Sequence, residues 1–159
     1  MTNPTTASVS LSGSNNADVI TGVGSGTNQL YGLGGNDTLI GGRGSDEIYG
    51  GPGADRFVVR RRSVDRFVDF NPRQDRLLFP SNEFPNIRRI LNVRIPLMKW
   101  AATSTSDLIY IMGRGELHWN QNGAAPGWGT GGLIALIGRT GWIAPINIPG
   151  IAIQSVEMS

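Results

Sequence analysis

The stretch "YGLGGNDTLIGGRGSDEIYGGPGADRFVV", residues 31–59, closes a glycine-rich run with an aspartate three times, nine residues apart. Extending that frame gives "GSNNADVIT" (13–21), "VGSGTNQLY" (23–31), "GLGGNDTLI" (32–40), "GGRGSDEIY" (41–49) and "GGPGADRFV" (50–58), with only Gly22 outside it. The sixth position reads Asp18, Asn28, Asp37, Asp46, Asp55, and the eighth reads Ile20, Leu30, Leu39, Ile48, Phe57. Glycine reaches backbone conformations closed to other residues, so the first six positions suit a turn. The last three, x-apolar-x, alternate as a short half-buried strand does. Each unit therefore predicts one turn and one strand. Two units complete one coil of a flattened parallel solenoid, and stacking buries a column of position-eight side chains that no single unit could cover.

In that arrangement units two apart lie above one another. Asp18, Asp37 and Asp55 line one edge, and Asn28 and Asp46 the other. Carboxylates stacked at strand spacing, ~5 Å, repel unless something neutralises them. Calcium suits the task, because it takes six to eight oxygens and accepts both carboxylates and the carbonyls of a glycine turn. Isolated Gly-Asp turns with local Asx hydrogen bonds are common in β proteins. Five units in register, with an apolar residue always two places after the Asp or Asn, argue against that blander reading.

The units "GGRGSDEIY" and "GGPGADRFV" resemble the nonapeptide of the repeats-in-toxin (RTX, haemolysin-type) calcium-binding family. A looser likeness continues through "SVDRFVDFNPRQDRLLF" and through "GELHWNQNG" followed by "GGLIALIG". The resemblance implies an all-β fold: a parallel β-roll with calcium in its turns, followed by a β-rich C-terminal cap. It also implies calcium-dependent folding and type I secretion without a cleaved signal peptide. The metal ligands expected are Asp37 with Asp55 first, Asn28 with Asp46 second, and Asp18 last. Three departures matter: Asn28 stands for an aspartate, Leu33 for a glycine, and Gly22 disturbs the Asp18/Asp37 spacing.

Composition agrees with strands and turns. There are 23 glycines and nine prolines in 159 residues, while 39% hydrophobic residues suffice for a core. No cysteine is present, so no disulfide can staple the chain. The N-terminus lacks the basic and apolar regions of a cleaved signal peptide. No uninterrupted apolar run approaches the ~18–20 residues of a membrane span. The expected organisation is a leader (1–12), the repeat roll (13–58) and a β-rich C-terminal region packed on it (59–159).

Beyond the roll, "RFVDF", "RLLF", "RILNVRI", "LIYIM", "GELHW" and "GLIALIG" read as strands. "FPSNEFPNIRRILN" has room for one short helix starting near Ser81 or Asn82. Asp65, Asp69 and Asp75 suit either a further metal site or surface pairs with neighbouring arginines, the second being expected.

Eleven of the 14 basic residues lie between Arg56 and Lys99. The groups Arg60, Arg61, Arg62 and Arg88, Arg89 suit an acidic protein or polysaccharide surface; nucleic acid is not expected. The interleaved phenylalanines read as core. The sequence has no H-E-x-x-H and no G-x-S-x-G, and its single histidine, His118, reads as a hairpin residue. The function expected is therefore a non-enzymatic, calcium-binding, extracellular or cell-surface protein. The alternative is an assembly subunit docked through the Arg-rich middle and the apolar C-terminal part.

Overall fold

A computed structural model describes residues 7–85, 87, 90–94, 107–112, 114–121, 131–138 and 153–156. All of its regular structure is strand. Seven three-residue strands follow the repeat: β1 (Ser10–Ser12), β2 (Val19–Thr21), β3 (Gln29–Tyr31), β4 (Thr38–Ile40), β5 (Glu47–Tyr49), β6 (Arg56–Val58) and β7 (Asp65–Phe67). Then come β8 (Arg76–Pro80), β9 (Ile90–Arg94), β10 (Leu108–Met112), β11 (Glu116–Trp119), β12 (Gly132–Ile137) and β13 (Ile153–Val156).

Odd and even strands of the repeat separate into two sheets, as an alternating solenoid requires. One sheet has the order β1-β3-β5-β7-β12-β11-β10-β9 and the other β13-β8-β6-β4-β2. The rungs pair in parallel with the apolar column in register. Leu30 lies opposite Ile48, and Leu39 opposite Phe57, 18 residues apart. Coils lengthen towards both ends, where Ile20 meets Leu39 after 19 residues and Phe57 meets Leu77 after 20. The extra residue Gly22 is taken up in its turn, where its N–H donates to the Ile40 carbonyl at 2.8 Å.

Leu30, Leu39, Ile48 and Phe57 are fully buried, and Ile20 nearly so. At ~1.5–3 kcal/mol for each large apolar side chain, this column is the chief apolar support of the roll. It runs into an aromatic cluster in which Phe57 meets Phe67 (5.2 Å) and Phe70 (5.7 Å), and Phe84 meets Phe79 (5.4 Å) and Trp119 (5.2 Å). The phenylalanines among the arginines are thus core. Trp100 lies outside the described residues.

The rungs extend past both ends of the repeat. Ser10–Ser12, within the segment read as a leader, pairs with β3. At the other end β7 pairs with β5, and β8 with β6. Then β12 adds in parallel to β7, and β11 and β10 follow antiparallel, so the C-terminal strands prolong the roll's own sheet.

The short helix expected near Ser81 is a turn instead. The Glu83 and Phe84 N–H groups both donate to the Pro80 carbonyl (3.0 and 2.8 Å). Pro85 has no N–H with which to continue the ladder.

Candidate metal centre

Each glycine-rich turn delivers its sixth residue to the edge of the roll, and there the side chains form two ladders. On one edge the Asp18 N–H donates to Asp37 Oδ1 (2.8 Å), Asp37 N–H to Asp55 Oδ1 (2.9 Å) and Asp55 N–H to Asp75 Oδ1 (3.0 Å). On the other, Asn28 N–H donates to Asp46 Oδ1 (2.6 Å) and Asp46 N–H to Asp65 Oδ1 (3.1 Å). One carboxylate oxygen of each aspartate after the first thus ties its rung to the one before it.

The second oxygens distinguish interior rungs from end rungs. Asp18 Oδ2 accepts from the Ser14 N–H (2.7 Å) and hydroxyl (2.8 Å). Asp65 Oδ2 accepts from the Ser63 hydroxyl (3.1 Å), and Asp75 Oδ2 from the Asn71 N–H (2.7 Å). In contrast, Asp37 Oδ2, Asp46 Oδ2, Asp55 Oδ2 and Asn28 Oδ1 are buried with no hydrogen-bond donor. Buried oxygens without a partner are costly and call for a cause. The close approach also explains the glycines: a Cβ on Gly41 would lie 2.8 Å from Asp46 Oδ2 and 2.7 Å from Asp65 Oδ2. On Gly32 and Gly50 it would run into the Asp37 and Asp55 carboxylates.

Electrostatics point the same way. Burial raises the pKa of Asp46, against hydrogen bonds from Asn28 that lower it. Burial also raises Asp55, helped by the charges of Asp37 and Asp69. Asp65 is pushed up to about 7 and Asp75 to about 6, in both cases mainly by burial. Anions held together in this way attract either protons or a cation.

Asp65, Asp69 and Asp75 are not the arginine-paired surface groups expected. Asp65 and Asp75 are buried rungs of the ladders, and Asp69 accepts the Gly50 and Gly51 N–H groups at 2.9 Å each. None of the three forms an ion pair among the described residues. The signal that could have found them is the coil length: Asp65 and Asp75 follow Asp46 and Asp55 by 19 and 20 residues.

The second ladder differs at its start. Asn28 Nδ2 lies 3.0 Å from Asp46 Oδ1, 3.1 Å from the Val23 carbonyl and 3.3 Å from the Gly26 carbonyl. An amide donor here faces three oxygens, the surroundings a cation would want. Among the described residues no three acidic or imidazole groups gather closely enough to hold a metal by themselves. A metal held at these edges would need carbonyls of the glycine turns beside the carboxylates. That all-oxygen mixture fits calcium better than zinc or the strict octahedron of magnesium.

Residues 23–57 match the family model for the RTX calcium-binding nonapeptide repeat (4 copies). These are RTX repeats. Calcium is the ion of this repeat. The fold is also that of a β-roll solved in solution, the AlgE6R3 subunit from the Azotobacter vinelandii mannuronan C5-epimerase. The TM-score is 0.55 at 22% identity, covering 92% of this chain and 78% of that one, and at that identity the likeness is one of fold. No curated protein sequence matches the chain.

His118 lies in the β10–β11–β12 meander with Nε2 3.1 Å from Glu116 Oε2. No helix among the described residues is long and apolar enough to cross a membrane.

Proposed function

We propose that the chain is a non-enzymatic calcium-binding β-roll whose folding is coupled to calcium, and which works outside the cell or at its surface after type I secretion. The ligands are Asp37 with Asp55 on one edge and Asp46 with Asn28 on the other. Asp18 is the least suited of the five, because Ser14 already satisfies its second oxygen. The observation that carries this reading is the set of four buried, donorless oxygens, on the interior rungs Asp37, Asp46 and Asp55 and on Asn28 beside them. Inside a calcium-poor cell the carboxylates repel and the roll opens. Outside, the free energy of binding calcium becomes free energy of folding. The domain reading keeps a leader (1–12), whose Ser10–Ser12 adds a strand beside β3, the repeat roll (13–58) and a β-rich C-terminal region (59–159) packed on it. That the solved relative is a repeat subunit rather than a whole epimerase supports the non-enzymatic reading.

Elemental calcium counting per chain tests the ligands, and circular dichroism with and without chelator tests the coupling. Full strand signal and an unchanged melting point in chelator refute the coupling.

A second reading is docking on an acidic partner. Arg60, Arg61 and Arg62 all line one concave surface, while Arg88, Arg89 and much of the apolar C-terminal part lie outside the described residues. Co-purification with an acidic partner supports it, and a lone monomer in physiological buffer counts against it.

A further inference from the structure

A cavity of about 370 Å³ opens where the 41–49 turn meets the turns after β6 and β8. Its walls are Arg43 from the repeat, Arg60–Arg62, and Asn82 with Glu83. Four arginines and a single carboxylate line it, so the concavity is positive. The cavity already receives one carboxylate, its own. Glu83 Oε1 accepts from Arg60 Nε (2.8 Å), and Glu83 Oε2 from the Arg61 N–H (2.8 Å). The Arg61 guanidinium is turned onto the Trp119 ring, 4.7 Å from its centroid. Arg43 and Arg62 are exposed and have no hydrogen-bond or ion-pair partner among the described residues.

We infer that this cavity binds a carboxylate-bearing acidic oligosaccharide, with Arg43 and Arg62 receiving the sugar carboxylate and Asn82 a ring hydroxyl. This rests on the docking reading above and narrows it to a ligand. Guanidinium forks match planar carboxylates in bidentate fashion, and Glu83 shows a carboxylate seated in this wall. The lining holds no apolar side chain, so it lacks the buried aromatic or aliphatic anchors of a protein interface. Its volume falls near the small end of ligand sites, ~300–1,000 Å³. Because Arg43 stands on the turn that also carries Asp46, the site is assembled only when that turn is ordered.

The test is calorimetric titration of the full chain in saturating calcium with a uronic acid trimer, the matching neutral trimer, inorganic phosphate and an oligoglutamate peptide. The uronate alone is expected to bind, with Arg43→Ala and Arg62→Ala each weakening it about tenfold or more, as for a lost charge-assisted hydrogen bond. Melting point and calcium count should stay as in the unsubstituted chain, and Arg114→Ala, an arginine outside the cavity that pairs with Glu116 (3.7 Å), should bind normally. Equal binding of the neutral trimer, or undiminished binding by both pocket variants, overturns the proposal. Tighter binding of phosphate overturns the carboxylate assignment. Binding of oligoglutamate in place of uronate overturns the sugar assignment and leaves the docking surface standing.

Discussion

Asn28→Asp should make the protein less stable without calcium and more dependent on calcium. The side-chain amide nitrogen lies 3.0 Å from Asp46 Oδ1 and within 3.3 Å of two turn carbonyls. Replacing it by oxygen removes that donor, at ~1–3 kcal/mol when a charged partner is left unsatisfied. It also sets a second carboxylate against Asp46. Two like charges ~4 Å apart cost on the order of 4 kcal/mol at an effective dielectric of ~20. In chelator the variant should therefore lose roughly 5 kcal/mol, or part of that if one carboxylate keeps its proton. With calcium at about a hundred times the dissociation constant, an added or tightened ion returns ~2.7 kcal/mol. The melting-point gain on adding calcium should then exceed that of the unsubstituted chain by roughly 5–10 °C. Differential scanning calorimetry in chelator and in calcium, with a calcium count on the same samples, measures this. A variant as stable as the parent in chelator, or one with no gain in calcium number or affinity, would refute the account of Asn28 as an amide in a cation's place.

Leu33 is the one non-glycine residue with positive φ (+77°) among the described residues, and its side chain is exposed. Leu33→Gly should raise stability by ~0.5–1 kcal/mol, the left-handed strain less the entropy of glycine, and a lower denaturant midpoint would contradict this. Gly53 has φ +155°, and a Cβ there would run into the Gly35 carbonyl. Gly53→Ala should cost ~2 kcal/mol or more and weaken calcium binding on the Asp37/Asp55 edge; unchanged melting and calcium affinity would show that the rungs are not so closely stacked. The chelated protein should also be steadier in mild acid. Asp65 at about 7 and Asp75 at about 6 lie above the ordinary 3.8, so the folded state keeps protons that the unfolded chain releases. That stabilisation is complete below pH ~4 and lost as pH rises through ~6–7. Melting in chelator at about pH 5 should exceed that at about pH 8, and the reverse order would contradict the raised values.

The columns of sequence positions six and eight carried most of the roll, because solenoid stacking turns a linear period directly into contact. Leu30 over Ile48 and Leu39 over Phe57 follow from the nine-residue frame alone. The strand at Ser10–Ser12 was not legible, since one leucine between two serines has no pattern of its own. It is a strand because β3 offers an open edge, as where the Gln29 N–H meets the Val9 carbonyl (2.8 Å). Asp65 and Asp75 were hidden for a related reason. Their coils are longer than 18 residues, and the surrounding arginines suggested surface pairing until β7 and β8 proved to be further rungs. The positive cavity was hidden because it joins Arg43 to Arg60–Arg62 across a coil.

What the repeat alone does not reveal is which rungs await an ion. A frame that treats all sixth positions alike would assign calcium evenly along each edge. Local donors break that symmetry. The Ser14 hydroxyl and N–H at Asp18, the Ser63 hydroxyl at Asp65 and the Asn71 N–H at Asp75 occupy the second oxygen at three of the ladder ends. The fourth end, Asn28, brings its own donor and keeps one oxygen open. The need for a cation is thereby concentrated on Asp37, Asp46 and Asp55, where glycines hold the carboxylates against bare backbone and no donor reaches the second oxygen. The terminal rungs can keep their hydrogen bonds without metal, so loss of calcium should open the middle of the roll before its ends.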